Sequence, residues 1–301
     1  MNAIVGADGQ LGQLALKTPL QKVSAPQVIA TYQSPEEARH GTLCESLYLS
    51  HNCLRQLRVK IMFIAAAGLL GTGFAVAQSA TETPQACWLE TSAATMDGAM
   101  GGAGLRETIV WESTISSVLL RHAKGDILID SGFGPNAEAQ MTELPAPGRA
   151  FGLQIVSGAK DRKPILNLLA SVGEPPAQVS RIIVTHAHYD HVGGATQLAA
   201  PIYVSSAEAK WMADQATHPT ITPPSLVAAV KPRLNILTYD SGEYLGFEAS
   251  KDVYGDGTVV VVPLPGHTPG SQGLFLKLGE RRVFLIGDAA FALVIERFLT
   301  R

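Results

Sequence analysis

Three times in the second half of this chain, a short apolar run rich in β-branched residues stops and a side chain able to bind a metal follows. Arg181-Ile-Ile-Val184 runs into His186, Thr258-Val-Val-Val-Val262 into Pro-Leu-Pro-Gly-His267, and Arg282-Val-Phe-Leu-Ile286 into Gly287-Asp288. Runs of this length and composition, bounded by Gly and Pro, read as buried strands. Side chains placed where such strands end, at one rim of a sheet, converge on a common site. The pattern predicts a layered α/β body with a site at its strand ends.

The densest of the three is THAHYDHVGG at 185–194, where three of the chain's eight histidines and an aspartate occupy six positions. In His186-x-His188 an extended backbone points both imidazoles the same way, so both reach one ion. Asp190 and His191 follow directly, and the chain must turn there toward Gly193-Gly194, which can aim this second pair at a neighbouring ion. Imidazole and carboxylate suit zinc best, with iron or manganese as substitutes. No cysteine lies nearby, so a closed cysteine-type structural zinc site is excluded and an open catalytic site is expected. Taken singly, a His-x-His can be a solvated loop, His267 a turn or core histidine, and Asp288 a helix cap. The combination sets those alternatives aside.

Around these motifs strands and helices alternate. Thr114–Arg121 and Ile127–Ile129 flank the turn signal Lys124-Gly125-Asp126 and predict a β-hairpin closing on Asp130-Ser-Gly-Phe-Gly134. Residues 161–173 predict a helix with Leu and Ile on one face and Gly173 near its end. A short helix is expected after Gly194, a strand over Pro201–Val204, a helix over Ser206–Met212 and a Pro/Thr loop over 217–225. Trp211 and Tyr203 either line a pocket or pack against the sheet. The loop is either a mobile site edge or an ordinary connection.

The 301 residues, 46% of them hydrophobic, suffice for one large domain or two small ones. A net charge of −3 offers no basic stripe, so nucleic acid is not an expected partner. Arg55, Arg58 and Lys60 precede an uncharged run over 61–77 that ends Ala75-Val76-Ala77. A basic flank, an apolar core and an A-x-A exit read as a secretory signal peptide over 55–77, cut after Ala77. A membrane anchor is the alternative, since a run of this length lies at the lower edge of a spanning helix. Cleavage leaves no stable membrane association and places the protein in the periplasm or outside the cell.

Because signal peptides start chains, residues 1–54 are expected to be a non-native extension or disordered, with initiation near Leu57 or Val59. Residues 78–105 are expected to be a loose leader, and 106–301 the folded domain. Cys44 and Cys53 precede the cut, so Cys87 alone would survive it and could form no internal disulfide.

THAHYDHVGG, PGHTPGS at 265–271, LIGDA at 285–289 and ILIDSG at 128–132 together resemble the metallo-β-lactamase-fold hydrolases over about residues 114–290. The resemblance implies a four-layer αββα sandwich with metals at one edge. It further implies that His186, His188 and His267 hold a first zinc, that Asp190 and His191 hold a second, and that Asp288 bridges both. Asp130 is then a structural neighbour of the metal loops rather than a ligand. A hydroxide held by the ions would attack the carbonyl of a small lactone, ester or β-lactam, with Asp190 orienting it. Organophosphates and thioesters are further substrates of such folds, and an inactive metal-binding relative is the non-enzymatic alternative.

The chain departs from the family in three respects. No histidine follows His267, the last strand and helix of the sandwich are not expected within it, and Phe291 stands where quorum-signal lactonases carry a tyrosine. These departures lead us to expect a C-terminally truncated member whose second metal site is weakened. Its sheet would keep an uncovered apolar face, and its fold would be marginal.

Overall fold

The alternation of side chains along the predicted strands becomes the alternation of two cores in the computed structural model, which describes residues 28–29, 42–45, 84–97, 110–214 and 222–289. The strands are β1 (Val28–Ile29), β2 (Thr42–Glu45), β3 (Gln85–Asp97), β4 (Val110–Arg121), β5 (Asp126–Ile129), β6 (Ala159–Lys160), β7 (Val179–Ile183) and β8 (Ile202–Ser205), followed by β9 (Leu234–Leu237), β10 (Lys251–Asp252), β11 (Val259–Pro263), β12 (Gln272–Leu278) and β13 (Arg281–Leu285). They form two sheets, ordered β1-β13-β12-β11-β10 and β2-β3-β4-β5-β7-β8-β9, with β6 paired beside β3. The helices are α1 (Ala137–Met141), α2 (Ala146–Gly158), α3 (Ile165–Ser171), α4 (Tyr189–Val192), α5 (Ser206–Ala213) and α6 (Pro224–Val230).

Val118, Leu120, Ile127, Ile129 and Ile183 point from the larger sheet toward Val259, Val261, Leu274 and Leu276 of the smaller one. Their neighbours Leu119, Leu128, Ile182 and Val184 point the other way, into a core shared with Ile165, Leu169, Met212 and Leu226 of the helices. A strand buried on both faces has no polar side to show, which is why the end of β7, running into Val184, and β11 read as continuous apolar runs. The protein is therefore an α/β sandwich of two facing sheets with helices outside the larger one.

On the outer face of the smaller sheet Val260, Val262, Phe275 and Phe284 are buried, with Tyr244, Leu245, Phe247, Ile286 and Ala289 packed on them. That corrects the expectation of an uncovered face. No α-helix of the described residues lies there, but the aromatic side chains of the 244–247 segment do, Phe275 and Phe284 stacking at 4.0 Å between them.

The leader expected over 78–105 is also corrected. Gln85–Asp97 is the longest strand, paired antiparallel with β4 across a bulge between Glu90 and Ser92. Its Ala, Thr and Ser content gives little apolar signal, yet the ladder satisfies its backbone and Cys87 and Leu89 are fully buried. Cys87 is disulfide-bonded, contrary to the expectation of a lone cysteine, which assumed that both others had been removed. Its partner is Cys44 or Cys53, whose side chains lie outside the described residues. Within the stretch expected to be an extension, β1 pairs parallel with β13, and β2 pairs antiparallel with β3.

Other differences are local. The helix expected from 161 begins at Ile165 because Pro164 occupies its N-cap, and Asp161 sits at φ 52°. The Pro/Thr loop gives way to α6 at Pro224, a proline in the first turn where its missing N–H costs nothing; residues 215–221 lie outside the described residues. So does the expected signal peptide at 55–77. Among the described residues no helix is long and apolar enough to cross a membrane.

Candidate metal centre

Parallel β5, β7 and β8 end at the same rim of the larger sheet, and the loops leaving them carry most of the site. After β7, Thr185 to His188 stay non-helical and α4 starts at Tyr189, so His186 and His188 reach the rim while Asp190 and His191 turn with the helix. His267 arrives from the loop after β11 and Asp288 from the 3-10 turn after β13, in the smaller sheet. Strands far apart in sequence thus deliver the expected residues to one place.

The imidazoles face one another through their nitrogens. Nε2 of His186 and Nε2 of His267 each lie 3.0 Å from Nδ1 of His188. Zinc–nitrogen bonds of about 2.0–2.1 Å in tetrahedral geometry separate ligand atoms by roughly 3.3 Å, so this spacing fits one ion. Burial holds His188 down to about 3, aided by neighbouring His267, and burial likewise keeps His186 and His267 below the usual imidazole range. Neutral rings keep a lone pair for a cation.

A second group, His186, His191 and Asp288, also gathers its ligand atoms within 4.8 Å of one another. Asp288 connects the two groups. Its Oδ1 lies 3.2 Å from His191 Nε2, while its Oδ2 lies 3.6 Å from His267 Nε2 and 3.8 Å from His186 Nε2. Asp190 stands beside this second group rather than within it, with Oδ2 3.8 Å from His191 Nε2. Burial opposes charge on His191, but Asp288, Asp190 and Asp130 outweigh it and raise the ring well above its usual range. Burial raises Asp190 to about 6. Burial pushes Asp288 upward too, but His191, His267 and His188 prevail and hold it at about 2.

Asp130, expected as a structural neighbour, adopts φ 56° at the end of β5. Its Oδ1 accepts from the Thr185 amide at 2.7 Å; its Oδ2 accepts from the Thr185 hydroxyl at 2.8 Å and meets His191 Nδ1 at 2.9 Å. It fixes the strand end and turns the His191 Nε2 toward the site, the usual work of a carboxylate behind a liganding histidine. Trp211 flanks His188 with ring centroids 5.6 Å apart, whereas Tyr203 packs against the core between the sheets. Phe291 lies outside the described residues.

Several residues of this shell escaped the sequence reading. Thr185, held by Asp130, is one. Gln272 donates Nε2 to the Val184 carbonyl at 2.7 Å and its amide to the Thr185 carbonyl at 2.9 Å, locking β12 to the end of β7. Glu208 is 1% exposed and bonds two ligand loops. A polar side chain amid the small residues of S-S-A-E-A was the available signal for it.

The family model described as the metallo-beta-lactamase superfamily matches residues 110–300. The chain belongs to that superfamily. This metallo-β-lactamase relative is 28% identical over 187 residues to a protein named probable metallo-hydrolase in Mycobacterium tuberculosis, covering 58% of this chain and 56% of that one. It is 30% identical over 179 residues to an N-acyl homoserine lactonase of a Bacillus species, covering 58% and 62%. The chain thus spans little more than half the length of the curated relatives it matches. In fold, it resembles an N-acyl homoserine lactone hydrolase solved with N-hexanoyl-L-homoserine at its catalytic metal centre. That match has a TM-score of 0.50 at 22% identity and covers 67% of this chain and 74% of the other.

Proposed function

We propose that the protein is a zinc-dependent hydrolase that opens the acyl carbon–oxygen bond of a small lactone or related ester, or the acyl carbon–nitrogen bond of a β-lactam. The observation that carries this reading is Asp288, one carboxylate whose two oxygens face the three-imidazole group and His191 at once. In this reading His186, His188 and His267 hold one ion firmly; Asp190, His191 and Asp288 hold a second more weakly, because His191 must first give up its proton. Zinc bound there supplies a Lewis acid and lowers the pKa of water to about 7. Asp190, at the edge of the cluster, orients the attacking water, and Trp211 walls the side nearest His188. The lactone preference draws its support from the relatives named as homoserine lactonases.

The test is metal analysis of the purified chain with hydrolysis assays before and after stripping and reloading with zinc, iron or manganese. An N-acyl homoserine lactone, nitrocefin, an aryl ester, a thioester and paraoxon cover the substrate classes. Lactone turnover that vanishes on stripping and returns with zinc is the expected result. A fully loaded chain that turns over none of the five would leave a non-catalytic metal-binding relative.

We also propose export through the signal at 55–77, tested by cell fractionation and by a mature terminus at Gln78. Both candidate partners of the Cys87 disulfide precede that cut, so a chain cut after folding would keep the released segment attached until reduced, which non-reducing electrophoresis would reveal.

A further inference from the structure

The three imidazoles of the first group come from two separate loops, 185–188 after β7 and 264–271 after β11, so something must fix the distance between them. Glu208 touches both. Ser205 caps α5 by accepting from the Glu208 amide at 3.1 Å, a spacing at which a capping-box glutamate turns back toward its cap. Here the carboxylate turns instead toward the site. Its Oε1 accepts from the Ala187 amide, between His186 and His188, at 2.6 Å. Its Oε2 accepts from the Thr268 hydroxyl at 2.7 Å and from the Gly270 amide at 3.1 Å, just beyond His267.

Both loops are gripped from other sides as well. Thr222 Oγ1 donates to the Ala187 carbonyl, and Ser205 Oγ donates to the Gly270 carbonyl at 2.8 Å. At Gly270 a Cβ would lie 2.1 Å from the Glu208 nitrogen, so only glycine lets the second loop come this close to α5. A buried carboxylate that accepts three hydrogen bonds is held in one orientation, and removing it leaves two buried amides and a hydroxyl without that acceptor.

We propose that Glu208 is a positioning residue that sets the span between the His186/His188 pair and His267, and thereby the affinity and ligand field of the first metal site. The proposal rests on the metal-site reading above. Zinc and cobalt affinities are measured by chelator competition on the full chain, together with the cobalt d–d spectrum and the melting temperature. E208A is expected to weaken the first, tighter ion by about 10- to 100-fold, the usual cost of losing an outer-shell partner. Its cobalt spectrum should stay shifted even at saturating metal.

E208Q can still accept from Ala187 and still meet the Thr268 hydroxyl, losing only the Gly270 bond, so its loss should be several-fold smaller. V118A, in the core between the sheets, serves as a control that lowers the melting temperature without touching either loop. If E208A does not fold, E208Q and T268V decide, both expected to weaken the tighter ion by more than V118A does. Variants matching V118A in metal affinity and in cobalt spectrum overturn the proposal. A parent chain that binds no metal would overturn the metal-site reading instead.

Discussion

The two ligand groups share His186 and are joined by Asp288, yet they differ in electrostatic character. In the first, three rings crowd together and burial keeps them neutral. In the second, His191 lies among Asp130, Asp190 and Asp288 and carries its proton well above the usual range. One group is ready for a cation as it stands; the other already contains a cation, the imidazolium, among its carboxylates. The same rim thus holds a site that takes a metal without losing a proton and a site where metal and proton compete.

The contrast is broken most severely by removing ligands. H188A should abolish tight binding of the first ion, a loss above about 100-fold, since it removes a direct ligand rather than an outer-shell partner. Metal-dependent hydrolysis should fall with it. D190N should spare the first ion, and D288N should weaken both, because of these three residues Asp288 alone faces both groups. Metal stoichiometry by elemental analysis separates the three variants. If D190N also strips the first ion, the groups are not independent and the comparison fails.

A smaller effect is expected at Asp130. In D130N the oxygen can keep the Thr185 amide, but the new NH2 then faces His191 Nδ1 and the Thr185 hydroxyl. The second ion should weaken by about 10- to 100-fold while the first holds, again the cost of an outer-shell carboxylate. Titration of the apoprotein with cobalt, followed by its two binding steps, reads this directly. Equal weakening of both steps would show that Asp130 supports the rim as a whole.

These residues also show what the sequence made legible. His186, His188, His191, His267 and Asp288 could be named because strand-end placement and ligand chemistry are both written locally. So could the β4–β5 hairpin, whose apolar strands flank Lys124-Gly125-Asp126, and the two-sided strands β7, β11 and β13. Glu208 and Gln272 could not, because their partners, three backbone groups and the Thr268 hydroxyl, lie 21 to 88 positions away and a polar residue carries no mark of what it will bond. Strand β3 was hidden for a related reason: Ala, Thr and Ser have little periodic hydrophobicity, and pairing with β4 decided their conformation. The covering of the outer face by Tyr244 and Phe247 depends on a loop whose aromatics meet Phe275 and Phe284 only after folding.

Acid should separate the two groups in the metal-free protein. His188, at about 3 when folded and near 6.5 when unfolded, contributes stability that is present above pH 6.5 and is lost as pH falls toward 3. His186 and His267 are displaced in the same direction. Asp190, raised to about 6, works the other way between pH 6 and its ordinary 3.8, offsetting part of the loss. His191 is protonated in both states below pH 6.5, so its contribution is constant there and is lost only as pH rises through its raised value. Glu208 and Glu174, also raised by burial, act with Asp190. The large displacement of the buried imidazoles should still leave a net loss on acidification, seen as a lower melting temperature at pH 4.5 than at pH 6.5, since a tenfold difference in proton affinity between folded and unfolded chains is worth about 1.4 kcal/mol. A flat profile over that range would mean that the imidazoles of the first group are not held neutral.

The mildest probe is Trp211, whose ring lies against His188 but bonds no ligand. In W211F an aromatic face remains, so the loss should stay within the 0.5–1.5 kcal/mol typical of an aromatic contact, about tenfold or less in affinity. It should appear at the first ion alone, since His188 belongs only to that group. A change confined to substrate KM, with metal affinity untouched, would instead assign Trp211 to the wall of the substrate pocket. Equal weakening of both ions would mean that the two groups are coupled through the packing of α5 as well as through Asp288, and the difference between them would then be one of degree.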